Sequence, residues 1–187
     1  MTVRDEGTSA RGVPTSTPLV VLHTLIQSAG VALFHSYGIA TAPLEPVRIE
    51  VDAFRPHYPL AVIGFKAPGM DATLVLSIPR EVSSRVQLDP ADHDERALVR
   101  ELVNQAMGRI KNRLTQYQVT LTRGLPSCAD RSADLTRLAP QPGPLTLYRL
   151  RTIHGYVMLA TRGVIDASRL VFSSVISLNS EGDIIVF

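Results

Sequence analysis

The chain has little from which to build a covalent, metal or nucleic-acid site. Cys128 is its only cysteine, so no disulfide framework forms within the chain, and a reducing, cytoplasmic setting is expected. A lone thiol without a base in view reads as a small buried or loop residue rather than a nucleophile. There is no tryptophan, only 5% of residues are aromatic, and the formal net charge is +2. The basic residues are almost all arginine, lysine appearing only at Lys66 and Lys111, and they are scattered without interleaved aromatics, which argues against a nucleic-acid surface. His23, His35, His57, His93 and His154 are widely spaced, and no pair shows the spacing of a helical zinc site. No glycine-rich phosphate loop and no Gly-x-Ser-x-Gly elbow occurs. The N-terminus is polar and carries Asp5 and Glu6, so no signal peptide is expected. The most apolar run, residues 19–34, is interrupted by His23, Gln27 and Ser28, which argues against membrane insertion.

The 187 residues suit one domain with a sizeable core. Residues 1–16 are rich in Thr, Ser, Gly and charge, without apolar periodicity, and read as a flexible arm; the domain spans 17–187. Thr17 as cap and Pro18 at the first position open a helix whose Leu19, Leu22, Ile26, Ala29 and Leu33 recur at helical spacing, with Gly38 as the stop. Strands follow at 47–53, where Val47, Ile49, Val51 and Ala53 alternate with polar residues, at 60–65, apolar enough to be central, and at 72–78 after the Pro68-Gly69 turn. A short helix is expected at 81–87. Beyond the next long helix, alternation from Tyr117 to Thr122 predicts a strand, and 127–144 reads as a long, Pro-rich loop. Residues 145–152 and 156–164 predict a hairpin with His154-Gly155 near its turn, and further strands are expected at 170–178 and 184–187. Two long helices, each followed by strands, point to an α+β fold with helices packed on a largely antiparallel sheet, and to an internal duplication.

The second long helix, expected over 90–114, organises the chain. Asp89 is placed to cap it, Pro90 suits its first position, and Asp92, Asp94 and Glu95 favour the positive end of its dipole. Leu102, Val103, Ala106, Met107, Ile110 and Leu114 form the buried stripe. Glu101, Asn104 and Gly108 lie three and four residues apart, so they share a face outside that stripe. A Glu on a helix face is ordinarily a solvated charge. Asn is a mediocre helix former, however, and an interior Gly costs about 1 kcal/mol relative to Ala. Residues that disagree with their local propensity mark close approach of another backbone, or function.

Glu101-Leu102-Val103-Asn104, with Gly108 and then Gly124-Leu125-Pro126, resembles the signature of the CheC/CheX/FliY chemotaxis phosphatases, closest to CheX, over most of the chain from about residue 17. In that signature a Glu and an Asn stand three apart on a helix, with a Pro about twenty residues further on, after the next strand begins, a separation that Asn104 and Pro126 match. The family often carries Asp or Ser four residues before the Glu, where this chain has Ala97. The resemblance implies a CheC-like fold, a homodimer, and phosphatase activity on the aspartyl-phosphate of a CheY-like response regulator. It implies that Asn104 positions the attacking water and Glu101 pairs with the regulator's lysine. Gly108 would admit the partner's backbone, with Ala97 and Arg100 also facing the partner and Arg109 nearby. It implies no cofactor of the chain's own, the Mg2+ belonging to the regulator. The alternative is a non-catalytic CheC-like binding or scaffold module, a use to which the flagellar switch proteins put this fold.

Overall fold

The structure is a computed structural model and describes residues 17–86 and 94–170. Helix α1 (Pro18–His35) leads into two short strands, β1 (Ala42–Pro43) and β2 (Val47–Ile49), and a 3-10 turn at Val51–Ala53. The hairpin β3 (Leu60–Ala67) and β4 (Met70–Ser77) follows, then α2 (Arg80–Val86) and α3 (Glu95–Thr115). Strands β5 (Thr122–Arg123) and β6 (Ser127–Ala129), helix α4 (Ser132–Leu138) and the hairpin β7 (Leu145–Thr152) and β8 (Gly155–Ile165) complete the described fold. All strand pairs are antiparallel, in the order β1-β7-β8-β4-β3-β5, with β2 also on β7 and β6 also on β3.

The continuous apolar run of β3 has a direct cause: both faces of the sheet are covered. Ala61, Ile63 and Phe65 face the cluster under α1 and α3, whereas Leu60 and Val62 face a second cluster with Phe54, Leu135 and Ala139. The predicted stripe of α3 lies in the first cluster, with Leu102, Val103, Ala106, Met107, Ile110 and Leu114 all buried. Helix α1 is long and apolar enough to cross a membrane by length and composition, but Leu22, Ile26, Ala29, Leu33 and Phe34 are buried in the same core.

Several boundaries differ from expectation. Asp94 caps α3, its Oδ1 accepting from the Arg96 and Ala97 amides at 3.0 Å each, and the helix begins at Glu95 instead of Pro90. Asp89, Pro90 and Asp92 lie outside the described residues. Thr17 occupies the cap position of α1 without a side-chain capping bond. Only 47–49 of the strand expected at 47–53 pairs, the rest turning into the 3-10 segment. Of the strand expected at 117–122 only Thr122 pairs: Gln118 takes a left-handed φ of 56° and the Val119 amide bonds the Leu114 carbonyl at 3.2 Å, closing the end of α3. The alternating Val119 and Leu121 are buried under the helix end, so their period reports burial and not sheet pairing. The loop expected at 127–144 contains β6 and α4 instead, because Ser127–Ala129 completes the edge beside β3 while Leu135 and Ala139 cap the second face. The arm at 1–16 and the strand residues expected at 171–178 and 184–187 lie outside the described residues.

The duplication is explicit. Helix ends His35 and Thr115, strands β1 and β5, and strands β2 and β6 are each 80 residues apart. The sheet is symmetric about its central β4–β8 pair: each hairpin's first strand takes the short strands of the other half, β1 and β2 on β7, β5 and β6 on β3. Even the helix ends match, Gly38 (φ 71°) with the Ile39 amide on the Phe34 carbonyl repeating Gln118 with Val119 and Leu114.

Candidate functional site on the outer face of α3

Helix α3 lies on the sheet beside α1, so its buried stripe fixes which side chains face outward. Ala97, Glu101, Asn104 and Gly108 then form one outward row, with Arg100 beside it; Glu101 and Arg100 are exposed, and Ala97, Asn104 and Gly108 are half-buried. The structure therefore brings all five predicted residues to one face. Gly108 has no internal reason to be glycine: a Cβ there meets nothing within 4 Å. Pro126 is half-buried in the connection between β5 and β6, and Leu125 before it is 89% exposed.

Both polar motif residues are held from outside the row. Gln105 Nε2 donates to Glu101 Oε1 at 2.9 Å, and Tyr37, in the turn after α1, donates its hydroxyl to Gln105 Oε1 at 3.1 Å. Arg123 of β5 donates to the Asn104 Oδ1. A guanidinium has no acceptor, so the carboxamide must turn its oxygen toward β5. Arg96 pairs with Asp130 at 2.6 Å, Arg100 Nε bonds the Arg96 carbonyl at 3.2 Å, and Arg109 donates to the Ser36 hydroxyl at 3.2 Å. Cys128, on β6, donates to the Arg96 carbonyl at 3.2 Å, and partial burial pushes its thiol pKa up, which opposes a nucleophilic role.

Sequence reading missed Arg123, Gln105 and Tyr37. Gln105 stands four residues after Glu101, a detectable pairing, but Tyr37 and Arg123 reach the site only through helix packing and sheet pairing. Beside Arg123 a groove of about 290 Å³ is lined by Lys66 of β3, Asp71 of β4, Thr122 of β5 and Gln141; the Lys66 ammonium, 2.8 Å away, holds the Asp71 carboxyl below its ordinary pKa. A cavity of about 570 Å³ lined by Phe54, Arg55, Tyr58 and Leu135 belongs to the segments covering the second face of the sheet. Among the described residues no three His, Cys, Asp or Glu side chains gather as a metal ion would require.

No family model matches the sequence, and no curated protein is significantly similar to it. Solved structures are similar in three dimensions. CheX from Desulfovibrio desulfuricans matches with a TM-score of 0.62 and 14% identity, over 75% of this chain and 97% of that one. CheX from Borrelia burgdorferi, solved in complex with CheY, BeF3 and Mg2+, matches with a TM-score of 0.55 and 11% identity, over 76% and 97%. The FliM middle domain from H. pylori matches with a TM-score of 0.53 and 12% identity, over 82% and 94%. The chain thus has the CheC-like α+β fold, which it shares with CheX and with the FliM middle domain.

Proposed function

We propose that this protein is a phosphatase for the aspartyl-phosphate of a CheY-like response regulator. The observation that carries the reading is the outward row on α3: a Glu and an Asn one helical turn apart, beside a glycine with open space where its side chain would be. Hydrolysis of an acyl phosphate asks little covalent chemistry of a helper. The water oxygen bonds to phosphorus, the bond from phosphorus to the Asp oxygen breaks, the carboxylate leaves with the electron pair, and both water protons stay with the inorganic phosphate. What a helper supplies is alignment of the water and compensation of charge. The Asn104 carboxamide both accepts and donates hydrogen bonds, so it orients a water without changing protonation. Glu101 pairs with the regulator's lysine and sets the register. Gly108 lets the partner's backbone approach α3, while Ala97, Arg100 and the exposed Leu125 border the contact. The Mg2+ that neutralises the phosphoryl group is the regulator's.

The test is the decay of phosphorylated receiver proteins from the same genome, with and without this protein and its Asn104→Ala variant. Faster loss of phosphate from one receiver with the wild type and not with the variant is the expected result; no acceleration for any receiver that binds sinks the reading. The fold of the FliM middle domain favours the second reading, a binding or scaffold module without catalysis, and Ala97 in place of Asp or Ser points the same way. The homodimer that accompanies the first reading is checked by the mass in solution from light scattering.

A further inference from the structure

We propose that Arg123 is a positioning residue for Asn104, a role that rests on the phosphatase reading above. Arg123 lies on a two-residue strand whose place is fixed independently of α3. Arg123 is in register with Phe65, the next amide, Gly124 N–H, donates to the Gly64 carbonyl at 2.9 Å, and the Thr122 hydroxyl donates to the Lys66 carbonyl at 3.2 Å. The strand therefore presents the guanidinium to α3 from a backbone hydrogen-bonded to β3. Its donation to Asn104 Oδ1 does two things. It removes the twofold ambiguity of the carboxamide, because a donor-only group accepts nothing from the Nδ2 end. It also leaves the second lone pair of Oδ1 and the Nδ2 hydrogens for a water and the phosphoryl oxygens. A terminal carboxamide rotor is otherwise broad, so an untethered Asn at a half-buried helix position samples orientations that hold no water in line.

The duplication supplies an internal control. The position equivalent to Arg123 in the first half is Pro43, and that equivalent to Asn104 is Thr24, whose hydroxyl donates back to its own helix at the Val20 carbonyl, 2.9 Å away. The tether exists only where the motif exists.

The experiment pairs a measurement on the protein alone with one on the reaction. In the free protein, Arg123→Ala is expected to move the Asn104 side-chain amide signals in a nitrogen–proton NMR spectrum, identified by their loss in Asn104→Ala, while the melting temperature holds. With a phosphorylated receiver whose decay the wild type accelerates, Arg123→Ala is expected to lower kcat by about tenfold to a hundredfold, the loss that misplacing a reacting group produces, with KM nearly unchanged. Arg123→Lys, which keeps a charged donor, is expected to restore part of kcat. Unmoved amide signals, an unchanged kcat, or a loss confined to KM each overturn the positioning role while wild-type activity leaves the phosphatase reading standing. A wild type inactive on every receiver removes that reading first, and the role of Arg123 with it.

Discussion

Val21 and Thr24 in the first half of the molecule stand where Glu101 and Asn104 stand in the second, and Ser28 stands where Gly108 does. Both helices bury the same kind of stripe, end in the same left-handed turn and feed the same pair of short strands. They differ in where their polar groups go. Thr24 and Ser28 bond carbonyls of their own helix, whereas Glu101 and Asn104 are reached by Gln105 and Arg123. Their glycines differ as well. A Cβ on Gly30 of α1 would lie 2.7 Å from Leu159 and 2.9 Å from Leu150, so this glycine lets α1 close on the sheet; Gly108 faces open space. Packing is therefore common to both halves, while an outward polar row with side-chain support belongs to one.

The largest effect expected from breaking this contrast is on chemistry. Asn104→Ala is expected to lower the catalysed dephosphorylation rate by about a hundredfold, as losing an orienting group does, while Thr24→Ala at the equivalent position leaves it unchanged; single-turnover decay of a phosphorylated receiver measures both. Binding comes next. Leu125 is 89% exposed at the tip beside Arg123, and its counterpart is the exposed Glu45. Leu125→Ser is expected to weaken receiver binding by about tenfold, the scale of an apolar interface anchor, with Glu45→Ser neutral in the same calorimetric titration.

Stability separates the glycines. Gly30→Ala forces side chains into a filled core and is expected to destabilise by about 1 kcal/mol after the gain in helix propensity is deducted. Gly108→Ala meets nothing and is expected to stabilise by up to about 1 kcal/mol while weakening receiver binding, the signature of a glycine kept for a partner. Urea unfolding of the two variants decides the sign of each.

The smallest effect is on pH dependence. His23 occupies the position of the fully buried Val103, packed edge-on against the Tyr148 ring at 5.5 Å between centroids. Burial holds its pKa below the ordinary 6.5, partly offset by Glu45. The unfolded chain thus takes up a proton more readily than the native one, so stability is full above that ordinary value and falls as pH drops through it. A melting temperature followed from about pH 8 to 5 is expected to decline less steeply in His23→Gln than in the wild type.

Much of this was legible in the sequence because the signals are local. The stripe of α3, the β3–β4 and β7–β8 hairpins, and the Glu101, Asn104 and Gly108 row all follow from periods of 3.6 and 2 and from residues at odds with helix propensity. The start of α3 is not legible locally because several acidic residues precede it, and only the backbone shows that Asp94 accepts from the free helix amides. Residues 127–144 resembled a loop because β6 and α4 are too short to display a period, and they are ordered by the sheet face they cover. The sequence by itself determined the fold class, the duplicated helix-and-strand units and the residue types of the candidate site. Only tertiary structure decided that β5 lies beside β3 and delivers Arg123 to Asn104, and that α1 ends where Tyr37 supports Gln105 and, through it, Glu101. Partners 19 and 68 residues apart meet through sheet pairing and helix packing, and no local pattern encodes them.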